Sequence, residues 1–542
     1  MSYPLQLFRL AIGDTYHNII ASGSALYPSP HTGKPLEKWY LKYIRADVFL
    51  IINALNNLVM TGKGNEVTLE KEKDNSEEQY WKFDGVENDY DGYALFYRIL
   101  NNGNSSKALT FVNNTGFLLK EYKGEIYQKY KINLDGLEGF AANCKTTSGE
   151  KAGTIGGLFG PLIEVTTADE LESELKKVGP KTIVIKENID MKTKMHTRIR
   201  DYTTIVGSFD NNTLYDPHFR TNNEYGTEGD EPSDNIVFRN LEIQRVSERG
   251  RISINIWSSR QIWIDHVNFE NKISYDRTGN GQDDVGKFIW LNTPYDNYMD
   301  KKDRLRSIDY ITISYCKFTH QYWTVAYGTQ NTEITRDRTT LLYNWWNENV
   351  RRCPQLGNGI LHVYNNYYQA YGEKNNGRHT SGIIGGDGSE VVSQNNFFNG
   401  YNKGQALMMG SDETKNPARD DNSYISYDLN GTPEEINFES KKVSNWYPNG
   451  TNYGYRLLDA YNTKQTDTKE FCIKYSGSFN SKDKIKYITD EDLLKWPSMV
   501  YDTPFLRNAN LQPLPKDEKE SNFNKISKAN IYSMIFVMLF LF

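Results

Sequence analysis

The 542-residue sequence lacks an excess of basic residues, paired cysteines and extended helical patterns. Lys and Arg total 63 against 69 Asp and Glu, and the net charge of -6 provides no basic field for nucleic acid or an anionic membrane. The four cysteines are widely spaced without a CxxC pair, which indicates neither a zinc site nor a dense disulfide scaffold. Beyond residue 135, helical periodicity occurs only at residues 168–176. We therefore expect few helices, no nucleic-acid partner and a monomer.

The two ends of the chain bear on its location. Residues 1–10 (MSYPLQLFRL) have neither a basic start nor a long apolar stretch, so no secretory signal peptide is visible. Residues 531–542 (IYSMIFVMLFLF) are too few for the roughly 20 residues of a membrane-spanning helix but match the length of a GPI-attachment tail. The alternative is a frayed, unprocessed terminus. Five sequons are compatible with secretion, at Asn104, Asn113, Asn211, Asn430 and Asn449. We expect an extracellular protein that is secreted or GPI-anchored.

Aromatic residues and glycine are abundant, with 38 Tyr, 24 Phe, 10 Trp and 41 Gly. Flat apolar side chains and turn residues suit strand-rich folds and surfaces that face sugars. With 38% hydrophobic residues the chain can bury a sizeable core, and its length exceeds a single domain of roughly 150 residues. We predict an all-β protein with at least two units.

The first 134 residues contain a threefold repeat. The tripeptides EKW at 37–39, QYW at 79–81 and QKY at 128–130 close three strand-rich segments that recur at intervals of about 40 to 50 residues. Such segments cannot bury their apolar faces separately but can do so around a pseudo-threefold axis. They resemble the ricin B-type lectin family, a β-trefoil whose repeats end in Gln-x-Trp. The resemblance implies a β-trefoil over residues 1–134 that binds plant cell-wall carbohydrate; the alternative is a trefoil that has lost sugar binding.

From residue 236 onward, short apolar runs recur, each followed by a small polar residue that is often Asn. Examples are IVF at 236–238 before Asn240, LLY at 341–343 before Asn344, and VY at 363–364 before Asn365. One strand for each coil of a solenoid explains the pattern, because inward amides stacked along the axis can hydrogen-bond in a ladder. We predict a right-handed parallel β-helix after the trefoil.

Residues 139–511 resemble the pectate/pectin lyase family. The specific segments are WIDH at 263–266 and RCPQLGNGILHVYNNYY at 352–368. The resemblance implies a β-helix over residues 135–512, followed by a polar spacer and apolar tail at 513–542. It implies a lyase that cleaves pectin or pectate by β-elimination. The alternative, from another class, is a non-catalytic surface protein that binds carbohydrate and has lost the chemistry.

Beta-elimination of a 4-linked polyuronate needs a base for the C5 proton and a cation near the C6 carboxyl group. The resemblance places the family's catalytic arginine at Arg352. A guanidinium is a poor base unless its surroundings strip the proton, and burial beside other cations acts in that direction. The alternative role for Arg352 is a clamp for a substrate carboxylate.

The resemblance also implies a possible Ca²⁺ site, with Asp265 of WIDH and Asp283 as ligands. The position four after Asp283 is Lys287, where an acid is expected. An ammonium there can take over the charge of the metal, so no cofactor is certain and Ca²⁺ remains an option. In the other option, Lys287 is a solvated charge and Asp284 completes the site.

The segment HQYW at 320–323 is similar to the His-x-Tyr-Trp of pectin lyases. This assigns Tyr322 and Trp323, with Lys287, to substrate binding. Fewer cations and more aromatic rings suit a methyl-esterified chain. His266 and His362 lie beside ladder positions, and we predict that they are buried, hydrogen-bonded side chains rather than acid/base groups.

Overall fold

The computed structural model describes residues 6–13, 15, 17–31, 35–89, 91–104, 107–113, 115–142, 145–146, 149–194, 196–222, 232–247, 252–273, 286–292, 308–327, 338–357, 359–370, 381–386, 389–409, 418–439, 465–479 and 495. These residues divide into two units. Leu7–Asp135 belongs to the first, and Gly136–Ala509 belongs to the second together with Gln6. The Gln6 side chain donates to the Ile155 carbonyl at 2.8 Å and accepts from Thr204 at 3.1 Å. The first unit was expected at residues 1–134; of the described residues in that range, Gln6 belongs to the second unit. The predicted tail at 513–542 lies outside the described residues.

The first unit is an antiparallel sheet of twelve described strands. They are β1 (Phe8–Ile12), β2 (His17–Ser22), β3 (Ala25–Pro30), β4 (Trp39–Arg45), β5 (Val48–Asn53), β6 (Val59–Lys63), β7 (Glu66–Glu70), β8 (Trp81–Asn88), β9 (Ala94–Asn101), β10 (Lys107–Val112), β11 (Gly116–Glu121) and β12 (Tyr130–Leu134). The first and last strands pair, from Phe8 opposite Leu134 to Ile12 opposite Tyr130. The two ends of the unit are therefore neighbours.

The threefold sequence repeat has a threefold counterpart in the hydrogen bonds of this unit. Trp39, Trp81 and Tyr130 are all fully buried. Each donates from its ring to a main-chain carbonyl about twenty residues earlier, at 3.0, 2.8 and 3.1 Å respectively. The acceptors are the carbonyls of Ile19, Met60 and Leu109. The last aromatic residue of each tripeptide is therefore a core residue.

The first residue of each tripeptide fastens its own segment. The Gln79 carboxamide accepts from the Lys73 N–H at 2.8 Å and donates to the Thr61 hydroxyl at 3.1 Å. Gln128 makes the equivalent bonds to the Lys123 N–H and the Thr110 hydroxyl, at 2.7 and 3.0 Å.

In the first repeat the equivalent position holds the buried Glu37, whose carboxylate lies 2.7 Å from His31 Nδ1 and accepts from Asn18 at 3.2 Å. Burial lowers the pKa of His31, and Glu37 opposes that shift. All three side chains are thus committed to structural contacts.

The second unit begins with a hairpin, a strand and a helix: β13 (Lys145–Thr146), β14 (Gly149–Glu150), β15 (Leu162–Val165) and α1 (Ala168–Lys176). Helix α1 begins at a capping box, in which the Thr167 hydroxyl accepts from the Glu170 N–H and the Glu170 carboxylate accepts from the Thr167 N–H. Its buried residues Leu171 and Leu175 are four apart and face the core. This is the helix expected at 168–176.

After α1 the chain coils, and each complete coil contributes one strand to each of three parallel arms. The first arm contains β16 (Lys181–Ile185), β19 (Thr203–Gly207), β22 (Ile236–Arg239), β25 (Arg260–Asp265), β28 (Asp309–Ser314), β31 (Arg338–Leu342), β34 (Gly359–Tyr364) and β37 (Ser389–Gln394). The second arm contains β17 (Ile189–Asp190), β20 (Thr213–Tyr215), β23 (Glu242–Arg245), β26 (Asn268–Asn271), β29 (Lys317–Thr319), β32 (Trp345–Asn347), β35 (Tyr367–Gln369) and β38 (Phe397–Asn399). The third arm contains β18 (Thr197–Arg198), β21 (Phe219–Arg220), β24 (Ile252–Trp257), β27 (Lys287–Asn292), β30 (Trp323–Tyr327), β33 (Gln355–Leu356), β36 (Ile383–Gly385) and β39 (Leu407–Met409). This arrangement is a parallel β-helix.

The described C-terminal elements are α2 (Lys403–Ala406), β40 (Ala418–Ser426), β41 (Glu434–Glu439) and α3 (Gln465–Tyr475). Strand β40 pairs in parallel with β37, and β41 pairs antiparallel with β40. Over the described part of the chain, no helix is long and apolar enough to cross a membrane.

The predicted asparagine ladder is present at the turn between the first and second arms. Asn344 donates to the side-chain oxygen of Asn366 at 2.9 Å, and Asn366 donates to that of Asn396 at 3.0 Å. The residue before each of them, such as Asn365 at φ +55°, adopts the left-handed conformation that turns the chain. The ladder satisfies main-chain groups inside a buried bend.

Inside the coil, aromatic rings stack along the second arm. Phe269, Phe318, Trp346, Tyr368 and Phe398 follow one another with ring centroids 5.0, 4.5, 5.5 and 4.4 Å apart. The stack explains part of the aromatic excess. The neighbour of Trp346 in the sequence, Trp345, faces outward, and its ring centroid lies 4.2 Å from the ammonium nitrogen of Lys317. Only one of the two adjacent tryptophans is therefore a core residue.

Candidate active site

Successive coils bring three of the predicted site residues together at the N-terminal ends of neighbouring strands in the third arm. Lys287 and Trp323 are register partners in the pair β27–β30, and Trp323 bridges to Arg351 on the next coil. The Lys287 ammonium lies 4.9 Å from the centroid of the Trp323 ring, and the Arg352 guanidinium lies 4.2 Å from it. Both distances are within the range of cation–π attraction. Two cations therefore share one aromatic ring.

Trp290 is a fourth member that the sequence analysis missed. Its half-buried ring lies 4.9 Å from the Lys287 ammonium. Trp290 pairs with Asn255 and Ala326 on the neighbouring coils, while Ile289 and Leu291 on either side of it are core residues. The sequence FIWLN at 288–292 is apolar through residue 291, so it carried no signal that this ring lies on the outer face.

Arg352 has an unusual backbone and an unusual environment. Its φ is +59°, a left-handed conformation that is uncommon for a long side chain. Burial and the neighbouring Arg351 lower the pKa of the Arg352 guanidinium, while Tyr322 acts in the opposite direction. The arrangement moves the guanidinium toward the neutral form that a base requires.

Tyr322 is more buried than the prediction of substrate contact suggests. It is only 8% exposed, and its ring centroid lies 5.8 Å from that of Trp323. Its carbonyl accepts a hydrogen bond from the Arg351 N–H at 2.8 Å. Tyr322 therefore contacts the ring of Trp323 and the chain that leads to Arg352, and its contact with substrate stays a prediction.

Asp265 does not lie with this group. It ends strand β25 of the first arm, and its carboxylate is buried. One oxygen accepts from Ser314 at 2.8 Å, and the other lies 2.8 Å from His266 Nδ1 and 3.3 Å from Arg239. Asp265 is therefore a hydrogen-bonding group at the turn between the first and second arms, and its role as a calcium ligand stays a prediction.

The other expected calcium ligand, Asp283, lies outside the described residues, as does its alternative Asp284. Across the described ranges no three His, Cys, Asp or Glu side chains gather closely enough to hold a metal ion. Because Asp283 lies outside these ranges, the possible Ca²⁺ site stays a prediction.

His266 and His362 also lie apart from the group of Lys287, Trp323 and Arg352. The His266 ring stacks on Tyr315 at 4.7 Å and contacts Phe479 at 4.6 Å, between the first and second arms. His362 is fully buried, and its Nε2 lies 2.8 Å from the side-chain oxygen of Gln394. Neither ring is available to a substrate on the third arm. The described cysteines Cys316, Cys353 and Cys472 are buried and form no disulfide.

Comparison with known proteins agrees with this architecture. The sequence model described as pectate lyase matches residues 132–479, which is more than half of the chain. The chain belongs to the pectate lyase family. The matched residues lie almost entirely in the second unit, where the Lys287, Trp323 and Arg352 group is found.

Similar members of the pectate lyase family include two pectin lyases. One, from Bacillus subtilis, is 28% identical over 356 residues, covering 64% of this chain and 88% of the relative. Another, from Pseudomonas marginalis, is 26% identical over 355 residues, covering 64% of this chain and 95% of the relative. A solved thermostable pectate lyase has a TM-score of 0.49 and 17% identity, and covers 64% of this chain and 98% of that chain.

These findings confirm two predictions. The chain is all-β with parallel sheets, and it is a polysaccharide lyase of the pectin and pectate type, which acts by β-elimination.

Proposed function

We propose that the third arm cleaves a 4-linked galacturonan with Arg352 as the base and with Lys287, Trp323 and Trp290 as substrate-binding residues. The observation that carries this proposal is the convergence of two cations on the ring of Trp323. A negatively charged or partly esterified uronate needs both a cation and an apolar face, and this group offers both.

The reaction proceeds without water as a reactant. Neutral Arg352 takes the proton from C5, the electron pair of the C5–H bond forms the double bond between C4 and C5, and the bond from C4 to the glycosidic oxygen breaks. The leaving oxygen takes a proton from solvent, and Arg352 returns its proton to solvent. The Lys287 ammonium stabilises the negative charge that develops on the C6 oxygens during proton removal.

Lys287 also bears on the metal requirement. Its charge can serve where a divalent cation serves in a calcium-dependent lyase, so we expect activity without added Ca²⁺. The contacts of Asp265 support this view, because that buried carboxylate lies on the first arm and is engaged there with Ser314 and His266.

We expect a substrate that carries methyl esters. Trp290 and Trp323 give the site two aromatic faces for a less charged chain. The two relatives described as pectin lyases agree with that choice.

For the first unit we propose a ricin B-type lectin-like β-trefoil that binds plant cell-wall carbohydrate. The threefold set of buried aromatic residues and the equivalent bonds of Gln79 and Gln128 support the trefoil. Binding by this unit would raise the effective concentration of the lyase at its polymer. Such a substrate lies outside the cell, and we therefore propose secretion, with GPI anchoring through residues 531–542 as the second option.

The test of the proposed function is the ultraviolet absorbance of the unsaturated product. The full chain is assayed with methylated pectin and with polygalacturonate, each with and without EDTA. We expect product from both polymers, more from pectin, and no loss with EDTA. Binding of both polymers without any unsaturated product would instead establish the non-catalytic alternative.

A further inference from the structure

A buried cation lies directly behind the candidate active site. Arg245 ends strand β23 of the second arm, and its side chain is fully buried. Its Nη1 donates to the side-chain oxygen of Gln321 at 2.8 Å. A buried guanidinium is costly unless its donors are satisfied and its charge is used, so its place in the fold calls for a role.

Gln321 connects this cation to two further coils. Its side-chain nitrogen donates to the Gly286 carbonyl at 2.6 Å. Its main-chain N–H donates to the side-chain oxygen of Asn349 at 3.0 Å, and its carbonyl accepts from the Val350 N–H at 2.9 Å. Gln321 is itself fully buried. Gln321 thus hydrogen-bonds to residues on the coils that carry β23 and β27 and to the segment that precedes β33.

Gly286 fits tightly against Arg245. A Cβ atom at this position would lie 2.0 Å from Arg245 Nη2, so no larger residue can occupy it without moving the guanidinium. The Gly286 carbonyl shares its peptide plane with the N–H of Lys287. Fixing that carbonyl therefore fixes the direction from which the Lys287 side chain departs.

Each residue of the site starts close to a bond that Gln321 makes. Lys287 follows Gly286 directly, Trp323 follows Gln321 by two positions, and Arg352 follows Val350 by two positions. We infer that Gln321, polarised by Arg245, is the positioning residue that sets the spacing of Lys287, Trp323 and Arg352. This inference rests on the proposed function of that group.

The side-chain chemistry of Gln321 indicates the variant to use. Gln321→Glu keeps an acceptor for Arg245 and keeps the volume of the side chain. It replaces the donor to Gly286 with a carboxylate oxygen, which repels that carbonyl. Gln321→Leu, by contrast, would leave the Arg245 donor without its acceptor in a buried site and would endanger folding.

The experiment is a double-mutant cycle between Gln321→Glu and Lys287→Ala, measured as kcat/KM on methylated pectin. In the wild-type background we expect Gln321→Glu to lower kcat/KM by at least about tenfold, since small misplacements of catalytic groups are that damaging. In the Lys287→Ala background we expect a smaller loss than in the wild type, because the part of the effect that Gln321 exerts through Lys287 has been removed.

Gln261→Glu is the matched control. Gln261 is also fully buried, and its side-chain nitrogen also donates to a main-chain carbonyl, that of Ala152 at 2.8 Å, but it lies on the first arm. We expect this variant to lower the unfolding midpoint of the protein as much as Gln321→Glu does while changing kcat/KM by less than about twofold. Equal losses of kcat/KM in the two variants would assign Gln321 a general structural role and overturn the inference.

Two further measurements keep the inference testable. If Gln321→Glu does not fold, Gln321→Asn takes its place in the cycle, because the shorter amide reaches Arg245 or Gly286 but not both. If the wild type yields no unsaturated product, the proposed catalysis fails, and the same cycle is measured as the affinity for a galacturonate oligosaccharide by tryptophan fluorescence. Additive effects in whichever cycle is measured would overturn the positioning role, whereas non-additive effects support it.

Discussion

The two units of this chain both use repeats, but they relate those repeats differently. In the first unit, three segments repeat similar contacts, and each uses a buried residue such as Gln79 or Gln128 to fasten itself. In the second unit, coils are stacked by translation, and each coil hydrogen-bonds to the next through ladders such as Asn344, Asn366 and Asn396. The first arrangement closes on itself, whereas the second lines up residues from distant parts of the sequence.

That difference explains where a composite site can form. The stacked coils place Lys287, Trp323 and Arg352 side by side although each comes from a different coil. In the first unit, the equivalent residues of the three repeats point into the core and are used for packing. A translational repeat thus offers a continuous outer face, and the site proposed for this protein lies on it.

The largest expected effect is at Arg352. We expect Arg352→Lys to lower kcat/KM by at least about 10³-fold with the fold intact, since an ammonium cannot reproduce the position and shape of the guanidinium at C5. Product formation is measured by ultraviolet absorbance and folding by circular dichroism. Arg419→Lys, in the last described coil, is the control and should leave activity unchanged. Near wild-type turnover in Arg352→Lys would contradict the role of Arg352 as the catalytic base.

The environment of Arg352 also fixes the direction of the pH dependence. Burial and Arg351 lower the pKa of the guanidinium, and only the neutral form can accept the C5 proton. The neutral fraction grows as the pH rises toward that lowered pKa, so kcat should increase through the alkaline range. A rate that falls as the pH rises would favour the alternative role of a charged carboxylate clamp.

The next effect in size is at Lys287. We expect Lys287→Ala to lower kcat/KM by about 10- to 100-fold, because the charge on the C6 oxygens loses its nearest cation. Added Ca²⁺ should not restore activity, and EDTA should not lower that of the wild type. Lys287→Asp provides the converse, since a carboxylate there could make activity respond to Ca²⁺. If the wild type is sensitive to chelator and Lys287→Ala is silent, Lys287 is a solvated charge and the metal-dependent alternative holds.

A smaller effect separates the two kinds of repeat. Gln79→Leu leaves the Lys73 N–H and the Thr61 hydroxyl without their partner, and we expect a loss of about 1–3 kcal/mol in the stability of the first unit. Turnover on short soluble oligomers should not change. The matched variant Asn366→Leu interrupts the ladder of the second unit and should lower both stability and turnover. Urea unfolding and the product assay measure both; loss of turnover in Gln79→Leu would show that the units are not independent.

The smallest expected effect comes from removing the first unit. The Asp135 N–H donates to the Leu7 carbonyl at 2.9 Å, so residues 7–135 can be deleted and Gln6 joined to Gly136 through a short linker. We expect turnover on short soluble oligomers to stay within about twofold of the full chain, while degradation of insoluble cell-wall material falls. Destruction of turnover on the short oligomers would contradict the modular view.

The successes and failures of the sequence analysis have physical causes. The Asn ladder was predictable because each amide follows an apolar run at the same place in every coil. The surroundings of Asp265 were not predictable, because WIDH specifies a strand end but not which of three arms that strand joins. Trp290 was missed because an outward ring and an inward ring look alike in a short apolar run.

The sequence by itself determined the two kinds of repeat, the class of enzyme and the candidacy of Lys287, Trp323 and Arg352, because local patterns and short motifs carry that information. Only the tertiary structure decided which of these residues meet. The arm on which a strand lies depends on the lengths of all the preceding turns, so the contact of Lys287 and Arg352 with Trp323, the commitment of Asp265 to Ser314 and His266, and the bonds of Gln321 exist only after the coils have stacked.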